Sequence, residues 1–221
     1  LLIRKLDFWY PNSEIFIIDN LSSERYCSLF NLPKHSKKYF IKGDLCDLHL
    51  HNIFKDSRCI FHLAAITNAE ASFDKSKEVE NNNFLATQKV ALACRDNSVP
   101  MIYISSTSVY GTSSRQVDES CLNSELNPQS PYAESKLKEE NFLKELSTKS
   151  PFKMIILRFG TIFGISPGMR FHTAVNKFCL QASIDQPVTV WNTAYEQLRP
   201  YLYIGDAMKA FKILIDQYIF D

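Results

Sequence analysis

The sequence predicts an α/β protein built on a doubly wound parallel sheet. Short apolar runs of strand length alternate with longer segments of helical period along the whole chain of 221 residues. Several of the short runs are continuously apolar, as expected for parallel strands that are buried on both faces. Parallel strands joined through helices cross over with a right hand, so helices are expected on both faces of the sheet.

The composition is that of a soluble globular protein large enough for one domain, or for one domain and a small addition. Of the residues 45% are hydrophobic and 22% are charged, and the net charge is +1. The near-neutral charge argues against nucleic acid or a membrane surface as the main partner, and no apolar run approaches the ~20 residues of a membrane span. The N-terminus lacks the pattern of a signal peptide. The six cysteines show no metal-binding or CxxC spacing, which indicates reduced, mostly buried thiols in a cytoplasmic protein.

The first elements predict a helix followed by two strands. A helical pattern runs from residue 1 to Pro11, and Glu14–Asp19 is a buried strand that closes on an acid. In a dinucleotide-binding unit, an acid at the end of the second strand binds the adenosine ribose about 20 residues after a glycine-rich turn. Counting back from Asp19 reaches the start of the sequence, so we expect the glycine-rich turn to precede residue 1. Lys37–Lys42 predicts a further strand.

The middle of the chain predicts a ligand-binding sheet edge. A strand over residues 58–63 ends at Ala64-Ala65, and small residues at that end let a flat ligand approach the backbone. A long helix over residues 75–97 contains three successive asparagines, one of which is expected to face a ligand or a loop. A strand over residues 100–105 ends in a run of hydroxyl residues, 105–108, well placed for hydrogen bonding to a ligand or simply a polar turn.

The segment 130–136, Ser-Pro-Tyr-Ala-Glu-Ser-Lys, predicts the start of a helix with a tyrosine and a lysine on one face. Ser130 suits an N-cap and Pro131 suits the first helical position. Tyr132 and Lys136 are four residues apart, hence one turn apart on the helix surface. An ammonium beside a phenol favours the phenolate, which is a way to make a base. An ordinary amphipathic helix with a solvated lysine is the alternative interpretation.

The last part of the chain predicts a further α/β alternation. We expect a strand over residues 152–159, turns at the glycines of 160–168, a helix over 169–182, strands over 187–191 and 198–204, and a helix over 205–218.

Eight short motifs follow one another in a fixed order along nearly the whole chain. They are Ile17-Ile18-Asp19, Gly43-Asp44-Leu45, His62 to Ala65, Asn83 to Thr87, Ser105 to Gly111, Tyr132-x-x-x-Lys136, Arg158 to Gly164, and Arg199 to Asp206. In this order they resemble the extended short-chain dehydrogenase/reductases, specifically the NAD-dependent nucleotide-sugar epimerase/dehydratase family. The resemblance implies a Rossmann-like NAD-binding domain over residues 1–160 and a small, partial substrate-binding region over residues 161–221.

The resemblance also implies roles for individual residues. It implies a catalytic set of Ser106, Tyr132 and Lys136, with Tyr132 as the base. The cofactor NAD would be bound by Tyr132 and Lys136 together with Asp19, Asn20, Asp44, Leu45, Leu63, Ala64, Ala65, Asn83 and Ser105. A nucleotide-diphosphate sugar would be bound by Ser106, Thr107, Asn176 and Arg199. No metal is implied, and relatives of this kind often form homodimers.

Within the family, the resemblance favours an epimerase acting at sugar carbon C4. The 4,6-dehydratases carry a glutamate or an acidic pair just before the Val-Tyr-Gly motif, where this chain has Thr107 and Ser108. A 4,6-dehydratase, a 4-ketosugar reductase and a non-catalytic dinucleotide-binding module remain alternatives. Asp19 favours NAD over NADP because its carboxylate would repel a 2′-phosphate.

Two departures from the family pattern concern the ends of the chain. The first strand with its glycine-rich loop, and much of the substrate-binding domain after Asp206, are expected to lie outside this sequence. We therefore expect an N- and C-terminally incomplete chain, in which the strands next to the first strand have exposed edges.

Overall fold

The computed structural model describes residues 1–24, 26–67, 76–111, 117–150, 152–190, 192 and 195–219, with the backbone alone at 76–81 and 218–219. The chain divides into two compact units. The terminal unit comprises Leu1–Lys42 and Gly160–Asp221, and the central unit comprises Gly43–Phe159. The predicted boundary at residue 160 separates cofactor binding from substrate binding, and that functional division stays a prediction.

The terminal unit begins with a helix and a parallel pair of strands. Helix α1 (Leu2–Trp9) precedes β1 (Glu14–Asp19), which pairs with β2 (Lys37–Lys42). The register runs from Glu14 opposite Lys37 to Asp19 opposite Lys42. The rings of Phe16 and Tyr39 stack across the pair with centroids 4.8 Å apart, a cross-strand contact that stabilises this register.

A buried acid attaches α1 to the start of β2. The side chain of Asp7 is fully buried, and its carboxylate accepts hydrogen bonds from the Ser36 backbone N–H at 2.9 Å and the Ser36 hydroxyl at 2.6 Å. The Lys38 ammonium forms an ion pair with the same carboxylate. These partners replace the water that a buried carboxylate loses.

The rest of the terminal unit forms a second parallel pair with two helices. Strand β6 (Thr161–Phe163) pairs with β7 (Tyr201–Tyr203). Helix α5 (Ala174–Ser183) lies between them in sequence, and α6 (Ile204–Leu214) follows β7 and ends in a π-helical turn, Ile215–Ile219.

The central unit contains a three-stranded parallel sheet in the order β3–β4–β5. Its strands are β3 (Ile60–His62), β4 (Met101–Ser106) and β5 (Met154–Phe159). Its helices are α2 (Leu50–Phe54), α3 (Ser76–Asp96) and α4 (Pro131–Lys149). Because the strands are parallel, their carboxyl ends lie along one edge of this sheet, where open α/β sheets bind ligands.

Strand β4 forms the centre of this unit's core. Met101, Ile102 and Tyr103 are at most 1% exposed. Such a continuously apolar run is typical of a strand covered on both faces. Helices α3 and α4 pack against each other, and the rings of Phe84 and Phe142 meet edge to face at 5.8 Å.

The predicted α/β class is confirmed, because every strand pair described is parallel and the connections contain helices. Three element predictions were wrong. Residues 187–190 form no strand: they pair with none of the described strands, and Val188 and Val190 are 48% exposed. The last residue of that predicted strand, 191, lies outside the described residues. The predicted turn at 160–164 contains β6, and α5 begins at Ala174 instead of 169 because residues 166–169 form a hydrogen-bonded turn.

The cysteines differ from their predicted burial. All six are described and all are free thiols, but Cys94 alone is fully buried, whereas Cys27 and Cys179 are exposed. Burial raises the pKa of the Cys59 thiol to about 12, which keeps it protonated. Within the described part of the chain, no helix combines the length and the apolar character needed to cross a membrane.

Candidate active site

The start of α4 presents a tyrosine and a lysine on one face, as predicted. Ser130 caps the helix, since its Oγ accepts a hydrogen bond from the Ala133 N–H at 3.2 Å, and Pro131 takes the first helical position. Lys136 Nζ lies 5.9 Å from the centre of the Tyr132 ring. Tyr132 is partly exposed and Lys136 is buried, so an outer phenol stands in front of an inner ammonium.

The Lys136 ammonium is enclosed by polar groups. Its Nζ donates a hydrogen bond to Tyr103 Oη at 3.1 Å, lies 3.5 Å from Glu139 Oε2, and sits 4.7 Å from the centre of the Tyr103 ring. Burial lowers the pKa of Lys136, and the Glu139 carboxylate opposes part of that shift. The ammonium is therefore held by partners on α4 and β4.

The Glu139 carboxylate is the centre of a buried network. Its Oε2 accepts hydrogen bonds from the Tyr103 and Thr87 hydroxyls, each at 2.6 Å, and its Oε1 accepts one from the Ser135 hydroxyl at 2.8 Å. Burial, reinforced by the nearby Glu139, raises the pKa of Tyr103. The phenol therefore stays protonated, and its O–H donates a hydrogen bond to the carboxylate.

His62, at the end of β3, completes this network. Its Nε2 lies 3.0 Å from Thr87 Oγ1. Because the single hydroxyl proton of Thr87 is donated to Glu139, the His62 Nε2–H must donate to Thr87 Oγ1. Burial, and then the nearby Lys136, lowers the pKa of His62 to about 3, so the ring is neutral near neutral pH.

The two serines at the end of β4 differ in burial and in hydrogen-bond partners. Ser105 is buried, and its hydroxyl donates to Glu140 Oε1 at 2.5 Å. Ser106 is partly exposed, and its Oγ accepts hydrogen bonds from the Ser108 N–H at 3.2 Å and the Ser108 hydroxyl at 2.9 Å. The Ser106 hydroxyl proton takes part in neither of these bonds. Thr107 Oγ1 lies 3.4 Å from the Phe159 carbonyl oxygen.

The end of β3 leaves backbone accessible. Leu63 is 51% exposed, Ala64 is exposed and Ala65 is partly exposed. Asn83 on α3 holds the loop that follows: its Oδ1 accepts from the Ile66 N–H at 2.8 Å, and its Nδ2 donates to the Ile66 carbonyl at 3.1 Å. The expected polar asparagine of α3 therefore clamps a loop, and its role toward a cofactor stays a prediction.

Asp44 and Leu45 belong to the same unit, in the turn before α2. The Asp44 carboxylate accepts a hydrogen bond from the Cys46 N–H at 2.8 Å, and its backbone carbonyl accepts from Asp47 at 3.0 Å. Leu45 is partly buried. These hydrogen bonds stabilise the local turn. The predicted contact of Asp44 and Leu45 with an adenine stays a prediction.

The terminal unit carries Asp19 and Asn20 at the end of β1. Each side chain accepts a hydrogen bond from a backbone N–H two residues later, Leu21 at 2.7 Å and Ser22 at 3.0 Å. Asp19 also lines a cavity of about 250 Å³ whose wall includes hydroxyl and guanidinium groups; the other lining residues are Leu21, Ser23, Ser28, Leu29, Gly168 and Arg170. A carboxylate beside an open cavity fits the hydroxyl groups of a ribose.

Asn176 and Arg199, the two outlying substrate predictions, also lie in the terminal unit. Asn176 is buried; its Oδ1 accepts from the Gly164 N–H at 3.1 Å and its Nδ2 donates to the Arg170 carbonyl at 2.8 Å. The Arg199 guanidinium donates to the Gln197 side chain at 2.8 Å on an exposed surface. Asn176 thus stabilises the loop before α5, and both substrate roles stay predictions.

The central unit therefore gathers most of the predicted catalytic and cofactor residues. The structure adds Tyr103, Glu139 and Glu140, which the sequence interpretation missed. One signal could have found the two glutamates: residues 136, 139, 140 and 143 repeat with helical spacing, so both carboxylates lie on the inward face of α4. Buried carboxylates need partners, and several of the partners here, such as Thr87, Tyr103 and Arg158, are distant in sequence.

Comparison with known proteins places the chain in a family. It matches the model of the NAD dependent epimerase/dehydratase family over residues 12–219. In an alignment of 223 residues it is 30% identical to the dTDP-D-glucose 4,6-dehydratase of Dictyostelium discoideum, covering 93% of this chain and 50% of that protein. It is 31% identical over 186 residues to YtcB, an uncharacterized UDP-glucose epimerase of Bacillus subtilis (strain 168), covering 82% of this chain and 56% of that protein. The chain thus spans about half the length of these curated relatives.

A solved structure agrees over almost the whole chain. The UDP-N-acetylglucosamine 4-epimerase from Methanobrevibacter ruminantium M1, in complex with UDP-N-acetylmuramic acid, superimposes with a TM-score of 0.85 at 28% identity. The match covers 99% of this chain and 70% of that one. The family match, the parallel α/β fold and the order of the motifs have one explanation: this chain belongs to the NAD-dependent epimerase/dehydratase family, whose cofactor is NAD.

Proposed function

We propose that this chain carries the catalytic centre of a nucleotide-sugar 4-epimerase. The observation that supports it most directly is the position of Tyr132 next to the buried Lys136, on a helix that packs against the carboxyl end of β4. A tyrosine side chain that is partly exposed can reach a substrate, and an ammonium behind it can stabilise the phenolate, the form in which tyrosine acts as a base.

Each of the two units, taken by itself, has residues whose chemistry fits a part of NAD. Asp19 would bind the adenosine ribose hydroxyls beside its cavity, and Leu63 and Ala64 leave an accessible strand end for the middle of the cofactor. Lys136 would bind the nicotinamide ribose. When bound, NAD accepts a hydride from the sugar and later returns it.

The side chains of the central unit perform the proton chemistry. Tyr132 removes the proton of the sugar C4 hydroxyl while carbon C4 gives up its hydride, so that C4 becomes a ketone. Lys136 balances the charge on the Tyr132 oxygen, and the Ser106 hydroxyl donates a hydrogen bond to the C4 oxygen. When the sugar has turned over and is reduced at the opposite face of C4, Tyr132 would give the proton back to the C4 oxygen.

The hydroxyl residues after β4 favour epimerisation over dehydration. A 4,6-dehydratase must also move a proton at C5 and release the C6 hydroxyl, for which a carboxyl group is suited. At the two positions before Val109 this chain has Thr107, which lies against the Phe159 carbonyl, and Ser108, which bonds Ser106. Neither side chain is a general acid near neutral pH.

The dehydratase remains the second candidate, because the Dictyostelium relative is described as a 4,6-dehydratase. A 4-ketosugar reductase would use the same tyrosine and lysine, but would consume reduced cofactor. A non-catalytic dinucleotide-binding module would need neither a base nor its lysine, so the Tyr132–Lys136 pair argues against it.

The experiment is to incubate the purified protein with NAD and, separately, UDP-glucose, UDP-N-acetylglucosamine, UDP-glucuronic acid and dTDP-glucose, and to follow products by NMR. We expect the C4 epimer of one of these sugars, without net reduction of NAD. Accumulation of a 4-keto-6-deoxy sugar would instead identify a dehydratase.

Substitutions test the residue roles. Tyr132→Phe should lower kcat by about 10²–10⁴-fold, since it removes the proton acceptor. Ser106→Ala should lower kcat with a smaller effect on KM, because its hydrogen bond strengthens as charge develops on the C4 oxygen. The control is Tyr39→Phe, which removes a surface hydroxyl that bonds Glu14 on β1. Full turnover in Tyr132→Phe would refute the base assignment.

A further inference from the structure

The Lys136 ammonium contacts two buried residues that have no role in the reaction proposed for Tyr132. Tyr103 and Glu139 are both fully buried, and both contact the Lys136 Nζ, at 3.1 and 3.5 Å. The Tyr103 hydroxyl also donates a hydrogen bond to Glu139 Oε2, with 2.6 Å between the two oxygens. The three side chains therefore form a closed triangle of hydrogen bonds between β4 and α4.

The Glu139 carboxylate has the donor set that a buried anion needs. Three hydroxyl groups and one ammonium donate to it: Tyr103, Thr87 and Ser135 supply the hydroxyls, and Lys136 supplies the ammonium. None of these hydroxyls is an ordinary base, so none can take a proton from the ammonium. In such a setting a carboxylate acts as a counter-ion for its cationic neighbour.

The other charged or titratable groups that face Lys136 do not act as its counter-ion. His62 on β3 is neutral and bonded to Thr87 on α3. Glu140 on α4 is paired with Arg158 on β5, so its charge is largely compensated. Tyr132 lies in front of the ammonium. Glu139 is therefore the one carboxylate in the described central unit that contacts Lys136 and has no second cation as its partner.

We propose that Glu139 and Tyr103 are positioning residues for catalysis. Glu139 keeps the buried Lys136 protonated, and Tyr103 fixes the direction in which its ammonium points. This inference rests on the proposed function, in which a charged Lys136 stabilises the anionic Tyr132 and binds the nicotinamide ribose. Without the Glu139 charge, the ammonium would lose its proton at a lower pH, and the site would lose the cation that supports the base.

The first test measures the Lys136 titration without reference to activity. Lysine 13Cε and 15Nζ resonances are followed against pH in the folded protein, with the Lys136 signal assigned by Lys136→Arg. In Glu139→Gln we expect the midpoint of this titration to fall by about one to three pH units, the effect of an opposite charge at this distance. Glutamine keeps an acceptor for the three hydroxyl groups but removes the charge.

A matched control uses the next residue of the same helix. Glu140→Gln also removes a buried carboxylate, but one that bonds Ser105 and Arg158 and does not contact Lys136. The control therefore combines Glu140→Gln with Arg158→Gln, which should leave the Lys136 midpoint within about half a pH unit, because the two opposite charges that largely cancel at Lys136 are removed together. Glu139→Asp retains the charge, and should restore most of the wild-type midpoint.

The second test uses the pH profile of turnover. In Glu139→Gln the alkaline limb of kcat/KM should move to lower pH by about the same amount as the Lys136 midpoint, and Glu139→Asp should move it back. A purely structural role would lower activity equally at all pH values and leave the limb in place. That result, or an unchanged Lys136 titration in folded Glu139→Gln, would overturn the proposal.

Tyr103→Phe serves if Glu139→Gln fails to fold. It keeps the ring beneath the ammonium and removes only the hydroxyl between Lys136 and Glu139. Without this hydroxyl the Lys136 ammonium is no longer held in one direction, so we expect the KM for NAD to rise about tenfold or more. The midpoint of the Lys136 titration should change as well. If neither the KM nor the midpoint changes, the proposal is overturned. If Tyr132→Phe retains full turnover, the proposed function fails, whereas the titration of Lys136 still decides whether Glu139 is its counter-ion.

Discussion

Arg158 and Glu140 form a two-pronged ion pair inside the central unit. The arginine Nε donates to Oε1 at 2.9 Å and its Nη2 donates to Oε2 at 2.6 Å, while Ser105 donates to Oε1 at 2.5 Å. Burial alone would raise the pKa of Glu140, but the hydrogen bonds from Arg158 and Ser105 lower it below its usual value. The pair connects α4 to β5 and, through Ser105, to the carboxyl end of β4.

Breaking this pair should destabilise the protein strongly. Glu140→Gln leaves the Arg158 charge buried without its partner, and we expect the free energy of unfolding to fall by about 3–5 kcal/mol. Urea denaturation at neutral pH, followed by circular dichroism, measures the change. The double substitution Glu140→Gln, Arg158→Gln should cost clearly less than the sum of the two single ones. Strict additivity would show that the two side chains act independently.

His62 should make the stability of the central unit depend on pH in a defined window. Its pKa is lowered to about 3 in the folded protein, against about 6.5 in an unfolded chain. Between these values the unfolded state binds a proton that the folded state does not, so stability falls as the pH falls. From pH 6.5 to 5, above the range in which carboxylates titrate, this residue should remove about 1.5 kcal/mol from the free energy of unfolding.

His62→Gln should abolish that contribution. The difference in unfolding free energy between pH 6.5 and pH 5 is measured for wild type, for His62→Gln and for the control His51→Gln, an exposed histidine of α2. We expect the control to keep the wild-type slope. A His62→Gln variant with the same slope as wild type would mean that His62 titrates normally in the folded protein.

Asn83 should influence NAD binding through the loop that it clamps. Asn83→Ala removes both hydrogen bonds to the partly buried Ile66 and leaves its N–H and its carbonyl without this partner, at a cost of about 1–3 kcal/mol. Because the same loop begins with the exposed strand end at Leu63 and Ala64, the Kd for NAD should rise about tenfold or more. Isothermal titration calorimetry gives the Kd.

Asn83→Asp separates the two hydrogen bonds. A carboxylate can still accept from the Ile66 N–H, but it repels the Ile66 carbonyl. We therefore expect NAD binding at least as weak as in Asn83→Ala. Equal NAD affinity in wild type and both variants would exclude a role for this clamp in the cofactor site.

Gly111 should be indispensable to the turn that follows β4. Its φ is +73°, and a Cβ at this position would lie 2.1 Å from the Asn127 carbonyl oxygen. Gly111→Ala therefore combines backbone strain with a clash against backbone, and should cost more than about 2 kcal/mol. Gly43→Ala is the control, since its Cβ would meet only the flexible Leu48 side chain at 3.0 Å. Equal melting temperatures for the two variants would contradict this expectation.

Local patterns were sufficient to predict most elements and the centre of the site. The apolar runs at Glu14–Asp19 and Lys37–Lys42 predicted strands with their observed bounds, and Ser130-Pro131 predicted the start of α4. These features depend on neighbours in sequence: apolar spacing sets which face is buried, and a serine N-cap satisfies the first free N–H groups of its own helix. The strand prediction was wrong at residues 187–190 because a strand requires a partner strand, which the local pattern cannot supply.

Sequence by itself therefore determined the alternation of strands and helices over most of the chain, the spacing of Tyr132 and Lys136, and the family to which they point. Tertiary structure decided which groups surround that pair. Tyr103 reaches Lys136 across 33 positions, and Thr87 reaches Glu139 across 52. The physical reason is that a buried charge must find its partners in space, where β4, α3 and α4 pack together, and no local period encodes those distances.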